Sequence, residues 1–378
     1  MKPIIIITII FYCLISCKNT TEYGKEVDTK KAIELDSLFK EHHKVGKFNG
    51  NILVAENGKI IYENSFGYSN EENKIPLNLK SIFDLASISK QFTATGIVIL
   101  NEKEKLSYND NISKYIPELN HYKGIKIKNL LNHTSGLPDY EEVFKEYWDK
   151  SKIATNADLI SLFEKVEPKT YFTAGKKFEY SNTGYVLLAT IIERVSGLTY
   201  SEFMSKEIFQ PLEMENTFIF HRFLQPRTIE NLAHGYFYSD SLKQKIPVIN
   251  SKSDDEVVYL DGMVGDGAIN CTIGDLFIWD RAIRNNKIIS QKSKELMFLN
   301  SKTLNNESTN YGFGWMLEEN PDIGKIVLHT GDWAGFINYF ERAINKNNTI
   351  ILLQNEKLPT TRIPRNGIRE ILYKEQAN

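Results

Sequence analysis

The chain has 378 residues, 46 of them Lys or Arg and 48 Asp or Glu. That is room for one large core or two ordinary domains, and it lacks the basic excess of a nucleic-acid binder. A composition that is 42% hydrophobic and 12% aromatic is that of a folded globular protein, not a disordered one.

The first stretch, MKPIIIITIIFYCLISC, has a positive start at Lys2 and an almost wholly apolar run over residues 4–15. The run is shorter than the roughly 20 residues a bilayer span takes and fits the apolar region of a secretory signal. Its end, Leu14-Ile15-Ser16-Cys17, resembles the bacterial lipobox, where the cysteine is lipidated and becomes the first residue. An ordinary signal peptide or an uncleaved anchor is the alternative. Residues 1–16 are therefore expected to be a signal and 17–30, polar and without apolar periodicity, a tether. With Cys13 in the signal and Cys17 lipidated, Cys271 is alone and no intrachain disulfide is expected. It reads as a small core residue.

Residues 31–44 carry Ile33, Leu35, Leu38 and Phe39 near helical spacing. His42 and His43 at its end read as a cationic helix terminus or plain surface, not a metal site. In GNILVAENGKIIYENSFGY, two β-branched runs flank Asn57-Gly58, a hairpin signal. Residues 89–106 form an apolar helix whose hydrophobic side chains spread round its circumference, as in a buried helix. Helical patterns also cover 140–165, 183–198 (stopped by Gly197) and 200–210. YGFGWMLEE, KIVLHT, FINYFERA and TIILLQN read as successive strands, and a last helix is expected around 364–374. The whole predicts an α+β fold in one domain, 31–378. One antiparallel sheet comes from both chain ends and is flanked by helices, with an inserted, mostly helical lobe at roughly 90–260.

Three short motifs carry chemistry. Ser87-Ile88-Ser89-Lys90 puts a hydroxyl and an amine on one face of a helix start, where free backbone N–H groups favour an alkoxide and its oxyanion. Burial of the lysine would disfavour its charged form and let it take the serine's proton. Alone, the spacing is more simply a capping serine and a snorkelling lysine. Tyr180-Ser181-Asn182 offers a phenol that can relay protons and an amide that can hold a carbonyl, or else a helix cap. His329-Thr330-Gly331 ends a strand with a glycine that lets a ligand approach the backbone, or is just a strand end. His-Glu-x-x-His and Gly-x-Ser-x-Gly are both missing, so zinc-protease and nucleophile-elbow chemistries lack support. No cofactor or metal requirement is visible.

In this order and spacing the three motifs resemble the penicillin-recognising serine hydrolases: class C β-lactamases, D,D-peptidases, D-aminopeptidases and their esterase relatives. LLNHTSGLPDY (130–140), GDGAINCTIGDLFIWD and YGFGWML resemble segments of the same group, and the likeness runs from about 35 to about 373. It implies a β-lactamase/transpeptidase-like fold and an acyl-enzyme on Ser87. Lys90 would be the proton partner, and Tyr180 would help to activate Ser87 and later water. Asn182 would position substrate, and His329, Thr330 and Gly331 would lie on the docking strand. The backbone N–H groups of Ser87 and Asp332 would form the oxyanion hole. Lys90 and Tyr180 are taken as a coupled pair, since the acylation base is disputed even in better-known Ser-x-x-Lys enzymes. His133 reads as a turn or core residue, and Lys325, Asp261 and Asp266 have no special claim.

Residue 329 departs from the lysine usual in β-lactamases. A histidine, with a reference pKa near 6.5, is mostly neutral at pH 7, and Asp332 adds a negative charge nearby. Anionic substrates should be held less firmly. Within the family, a histidine here resembles the esterases and D-aminopeptidases, and the expected reaction is hydrolysis of an ester or a D-amino-acid amide or peptide at the cell envelope. The partners are a small-molecule or short-peptide substrate and, through the lipid, a membrane. A β-lactamase or D,D-carboxypeptidase, and a non-catalytic binder of wall peptides or of a partner protein, are the alternatives.

Overall fold

Asn57 and Gly58 both take positive φ, 51° and 79°, as a two-residue hairpin with the right twist requires. They join strand β1 (Gly50–Glu56) to β2 (Lys59–Phe66). Strands β3 (Met316–Asn320), β4 (Gly324–Trp333), β5 (Phe336–Ala343) and β6 (Asn348–Gln354) complete a six-stranded sheet in the order β3-β4-β5-β6-β1-β2. All its pairs are antiparallel. The chain ends meet where Gly50 faces Gln354 and Ala55 faces Thr349. This computed structural model describes residues 30–374. The expected signal, Cys17 and the tether up to residue 29 lie outside the described residues.

Side chains alternate across the sheet, so each strand feeds two cores. Ile52, Val54, Ile326, Leu328, Ile350 and Leu352 pack on Leu35 and Phe39 of helix α1 (Lys30–Lys44) and on Ile368 and Leu372 of the last helix. Leu53, Ala55, Val327, Phe340, Ile351 and Leu353 face the other way, toward the larger core. That core holds helix α2 (Lys90–Glu102), every residue of which from Lys90 to Leu100 is buried. Its Phe92 stacks on Trp279 at 4.2 Å.

The 140–165 region is two helices, α3 (Tyr140–Tyr147) and α4 (Asn156–Val166). Trp148 turns extended after the first, and Asp158 reaches back to Thr155 to cap the second. Helix α5 (Asn182–Ser196) ends at Gly197, with φ of 73°. Helix α6 (Ile273–Arg284) lies under the sheet beside α2, and α7 (Arg365–Tyr373) closes the chain. One expectation needs correction. Tyr311–Trp315 is a turn, closed by Gly312 N–H on the Trp315 carbonyl, and not part of a strand. Past Phe209 the mostly helical lobe also carries a hairpin, Tyr236–Ser239 and Gln244–Pro247, that pairs with Glu356–Lys357, before a short helix at Glu256–Tyr259.

Candidate active site

Strand Ile82–Asp84 pairs antiparallel with Ile269–Thr272 and leads into one tight turn, Ala86–Ser89, which runs on into α2. Ala86 sits at φ 48°, a left-handed conformation that costs a residue with a Cβ about 1–2 kcal/mol. The Asp84 carboxylate accepts the Ala86 N–H at 2.9 Å and holds the turn. Ser87 is thereby presented, half-buried, at the edge of a cleft.

Lys90 lies beneath it with no exposed surface. Its Nζ lies 3.0 Å from Ser87 Oγ, 2.8 Å from Asn182 Oδ1 and 3.0 Å from the Asp266 carbonyl oxygen, so the nitrogen has a polar partner in three directions. Asn182 opens α5. Its N–H donates to Asp139 Oδ2 at 2.7 Å and its Nδ2 to Glu141 Oε1 at 3.0 Å. A continuous chain of polar contacts thus runs Ser87–Lys90–Asn182–Glu141. The Tyr180 ring flanks it, 5.1 Å from Lys90 Nζ and 6.2 Å from the His329 ring.

On the sheet side, His329 is fully buried. Its Nε2 shares a hydrogen bond with Tyr311 Oη at 2.9 Å and its Nδ1 lies 2.6 Å from the Thr330 carbonyl oxygen. Burial, then the Lys90 charge, push its pKa down to about 3, so it is neutral. Gly331 is needed for a close approach: a Cβ there would stand 2.2 Å from the Leu85 carbonyl oxygen. Its absence lets β4 run directly past the Ser87 turn and brings Asp332 and Trp333 to the cleft.

Thr330 is not brought to Ser87. It lies one step out of phase with His329 on β4, opposite Tyr339, and borders a groove with Leu38 and His42 on the α1 side of the sheet. The negative charge expected at Asp332 is compensated, because Lys357 Nζ lies 2.5 Å from its carboxylate.

Asp266 and Asp261, given no role from sequence, both line the cleft, with Asp84, Tyr140, Glu141, Phe220 and Arg222. Tyr140 Oη donates to Asp266 Oδ2 at 3.1 Å, and burial pushes the Asp266 and Asp139 carboxyls up. Glu141 is raised to about 8, by burial first and then by Asp139 and Asp266. Asp261 accepts the backbone N–H groups of Arg222, Phe223 and Leu224 and pins that loop. Only the DY in LPDYEE and the GDG around Asp266 hinted at these groups, and neither has a spacing that points to Lys90. As expected, Lys325 is structural, donating to the Phe298 carbonyl, and Cys271 is buried in the core.

A serine bonded to a buried lysine, with an amide and a phenol against the same nitrogen on an α+β frame, defines a serine hydrolase. Residues 35–372 match the family model described as Beta-lactamase, and the chain belongs to that family. It is 42% identical over 330 residues to Penicillin-binding protein 4* of Bacillus subtilis (strain 168), covering 87% of this chain and 73% of that protein. It is 32% identical over 197 residues to the Teichoic acid D-alanine hydrolase of Staphylococcus aureus, 51% of this chain and 46% of that one. The octameric penicillin-binding protein homologue from Pyrococcus abyssi superimposes with a TM-score of 0.72 at 26% identity, covering 90% of this chain and 76% of its own.

Proposed function

We propose that the protein forms an acyl-enzyme on Ser87 and cleaves an ester or a D-amino-acid amide or peptide at the cell envelope, held there by lipid on Cys17. The observation that carries this is Lys90, buried and bonded to both Ser87 Oγ and Asn182 Oδ1. Ser87 Oγ bonds to the acyl carbon as its proton passes to the Lys90–Tyr180 pair. The carbonyl electrons move onto an oxygen held by the Ser87 and Asp332 backbone N–H groups, donors worth roughly 3–4 kcal/mol each in acyl transfer. Collapse expels the alcohol or amine, which takes the proton. Water then attacks by the same route, releasing the acid and restoring Ser87.

Charge supports the substrate class. Five acidic side chains, Asp84, Glu141, Asp261, Asp266 and Asp332, and one cation, Arg222, line the cleft; Lys357 compensates Asp332, and Glu141 is ionised only above about 8. His329 supplies no positive charge. A substrate carboxylate meets repulsion there, whereas a neutral ester or an aminoacyl group with a free ammonium does not. The teichoic acid D-alanine hydrolase among the relatives agrees with an aminoacyl ester and an envelope location. Among the described residues no helix is long and apolar enough to cross a membrane, and the lipid on Cys17 is the attachment proposed. Arg222 is the observation that favours a β-lactamase or D,D-carboxypeptidase instead, but Asp84 and Asp261 act on each other and on Arg222 to offset it.

Intact-mass measurement after a fluorophosphonate and, separately, a penicillin tests the reading on wild type and Ser87→Ala. A single fluorophosphonate adduct, lost in the variant, is expected. No adduct on folded wild type would remove the acyl-enzyme. Strong preference at pH 8 for carboxylate-bearing over neutral or amine-bearing substrates would remove the substrate class.

A further inference from the structure

His133 touches none of Ser87, Lys90 or Asn182 by hydrogen bond, yet it grips the chain on both sides of Tyr180. Its carbonyl accepts the Glu179 N–H at 2.9 Å, and its Nδ1 accepts the Ser181 N–H at 3.2 Å. Its ring lies 4.2 Å from the Tyr180 ring, tilted 30°. His133 itself is 1% exposed and takes φ of 55°, which turns the chain so that carbonyl and ring both face the 179–181 segment. Tyr311 stands edge-on at 4.6 Å and Tyr185 at 5.2 Å on its other sides.

We propose that His133 is a positioning residue that sets Tyr180 against Lys90, and that it does so as the neutral tautomer with its proton on Nε2. The inference rests on the acyl-enzyme reading of Ser87 given above. An Nδ1 that accepts a backbone N–H carries no proton, so the geometry fixes the tautomer. Nε2 has no hydrogen-bond partner among the described residues and is closed in by rings. Protonating His133 would put two N–H groups head to head at Ser181 or a second cation near Lys90. Burial and the Lys90 and His329 neighbours push its pKa well down, in the same direction. A histidine serves here because one side chain supplies both a flat ring to stack and an acceptor at the Nδ1 position.

The test uses substitutions that keep one of these features at a time. In His133→Asn, Oδ1 stands close to where Nδ1 was, and asparagine tolerates positive φ. In His133→Gln the amide oxygen reaches the Nε2 position instead. His133→Phe keeps the ring and loses the acceptor. The readouts are the pH dependence of the rate of fluorophosphonate acylation at Ser87, the kcat and KM of an ester substrate, and the thermal midpoint. Misplacing Tyr180 by about 1 Å is expected to slow acylation about 100-fold in the Phe and Gln variants, with KM held and the pH profile displaced. The Asn variant is expected to recover most of the loss. If His133→Phe fails to fold, the Asn and Gln variants decide. Equal acylation rates and unaltered pH profiles for those two, with wild type labelled, would overturn the His133 proposal alone. No label on wild type would overturn the acyl-enzyme reading first.

Discussion

Replacing Glu141 by Gln isolates the charge the cleft carries without changing its shape. Gln keeps an oxygen for Asn182 Nδ2, now 3.0 Å from Glu141 Oε1. The Glu141 carboxyl rises from 4.5 to about 8 on folding, through burial and the neighbouring Asp139 and Asp266. A carboxyl with a raised pKa binds its proton more tightly in the folded than in the unfolded chain. The folded state is therefore destabilised as pH rises from about 4.5 to about 8, and the penalty is complete above that window. At about 1.36 kcal/mol per pH unit the ceiling is about 5 kcal/mol. Glu141 is partly exposed, and solvent screening brings the expected figure nearer ~2 kcal/mol. For a chain this long that is roughly 3 °C in thermal midpoint. Thermal unfolding of wild type and Glu141→Gln at pH 5, 7 and 9 is the assay. The two should coincide at pH 5, where Glu141 is protonated, and separate toward pH 9 with the variant more stable. Parallel curves, or a less stable variant at pH 9, would refute the charge assignment. Above about pH 8, where Glu141 is ionised, the same variant is expected to lose selectivity for amine-bearing over neutral acyl groups.

Gly331→Ala forces a Cβ to within 2.2 Å of the Leu85 carbonyl oxygen. We expect a loss of about 1–3 kcal/mol of stability and slower acylation of Ser87, measured by chemical unfolding and fluorophosphonate labelling. Asp84→Ala removes the acceptor of the Ala86 N–H and should slow acylation, while Asp84→Asn, which keeps an oxygen there, should retain most of it. His329, held down to about 3, binds its proton less tightly folded than unfolded. It therefore costs stability as pH falls from about 6.5 toward 3. His329→Gln should flatten that loss in urea unfolding while leaving the pH 7–9 range unchanged.

Much of the frame could be read from local pattern. Asn57-Gly58 announced its hairpin because the turn depends on two adjacent residues, and Gly197 ended α5 for the same reason. Ser87, Lys90, Tyr180 and Asn182 stood out because their motifs are short in sequence. Lys90 and Asn182 nevertheless meet only because α2 and α5 are buried side by side. The acidic groups were not legible in that way. Asp266 meets Lys90 through its backbone carbonyl, and any residue type can supply one. Asp84 acts on an N–H two residues away, a contact that leaves no spacing to recognise. Thr330 shows the reverse failure. Period-two alternation already sends it to the face opposite His329, but a three-residue motif reads as one unit.

The substitution of histidine for lysine at 329 has a wider structural consequence than the loss of one charge. A lysine there would place a second amine close to the buried Lys90, and His329 is wholly enclosed. Histidine fits because it can stay neutral and still bond Tyr311, whose ring in turn meets His133 and Tyr180. In the aromatic wall His329–Tyr311–His133–Tyr180 both histidines are therefore held neutral, and Lys90 lies against it. With carboxylates on the facing wall, the electrostatic asymmetry runs across the cleft and not along the sheet. Under the proposed acyl-enzyme reaction, a substrate whose amine turns toward Glu141 and Asp266, with its carbonyl at the Ser87 and Asp332 amides, would match that asymmetry. One that leads with a carboxylate on the β4 side meets Lys357 there, which Asp332 already holds.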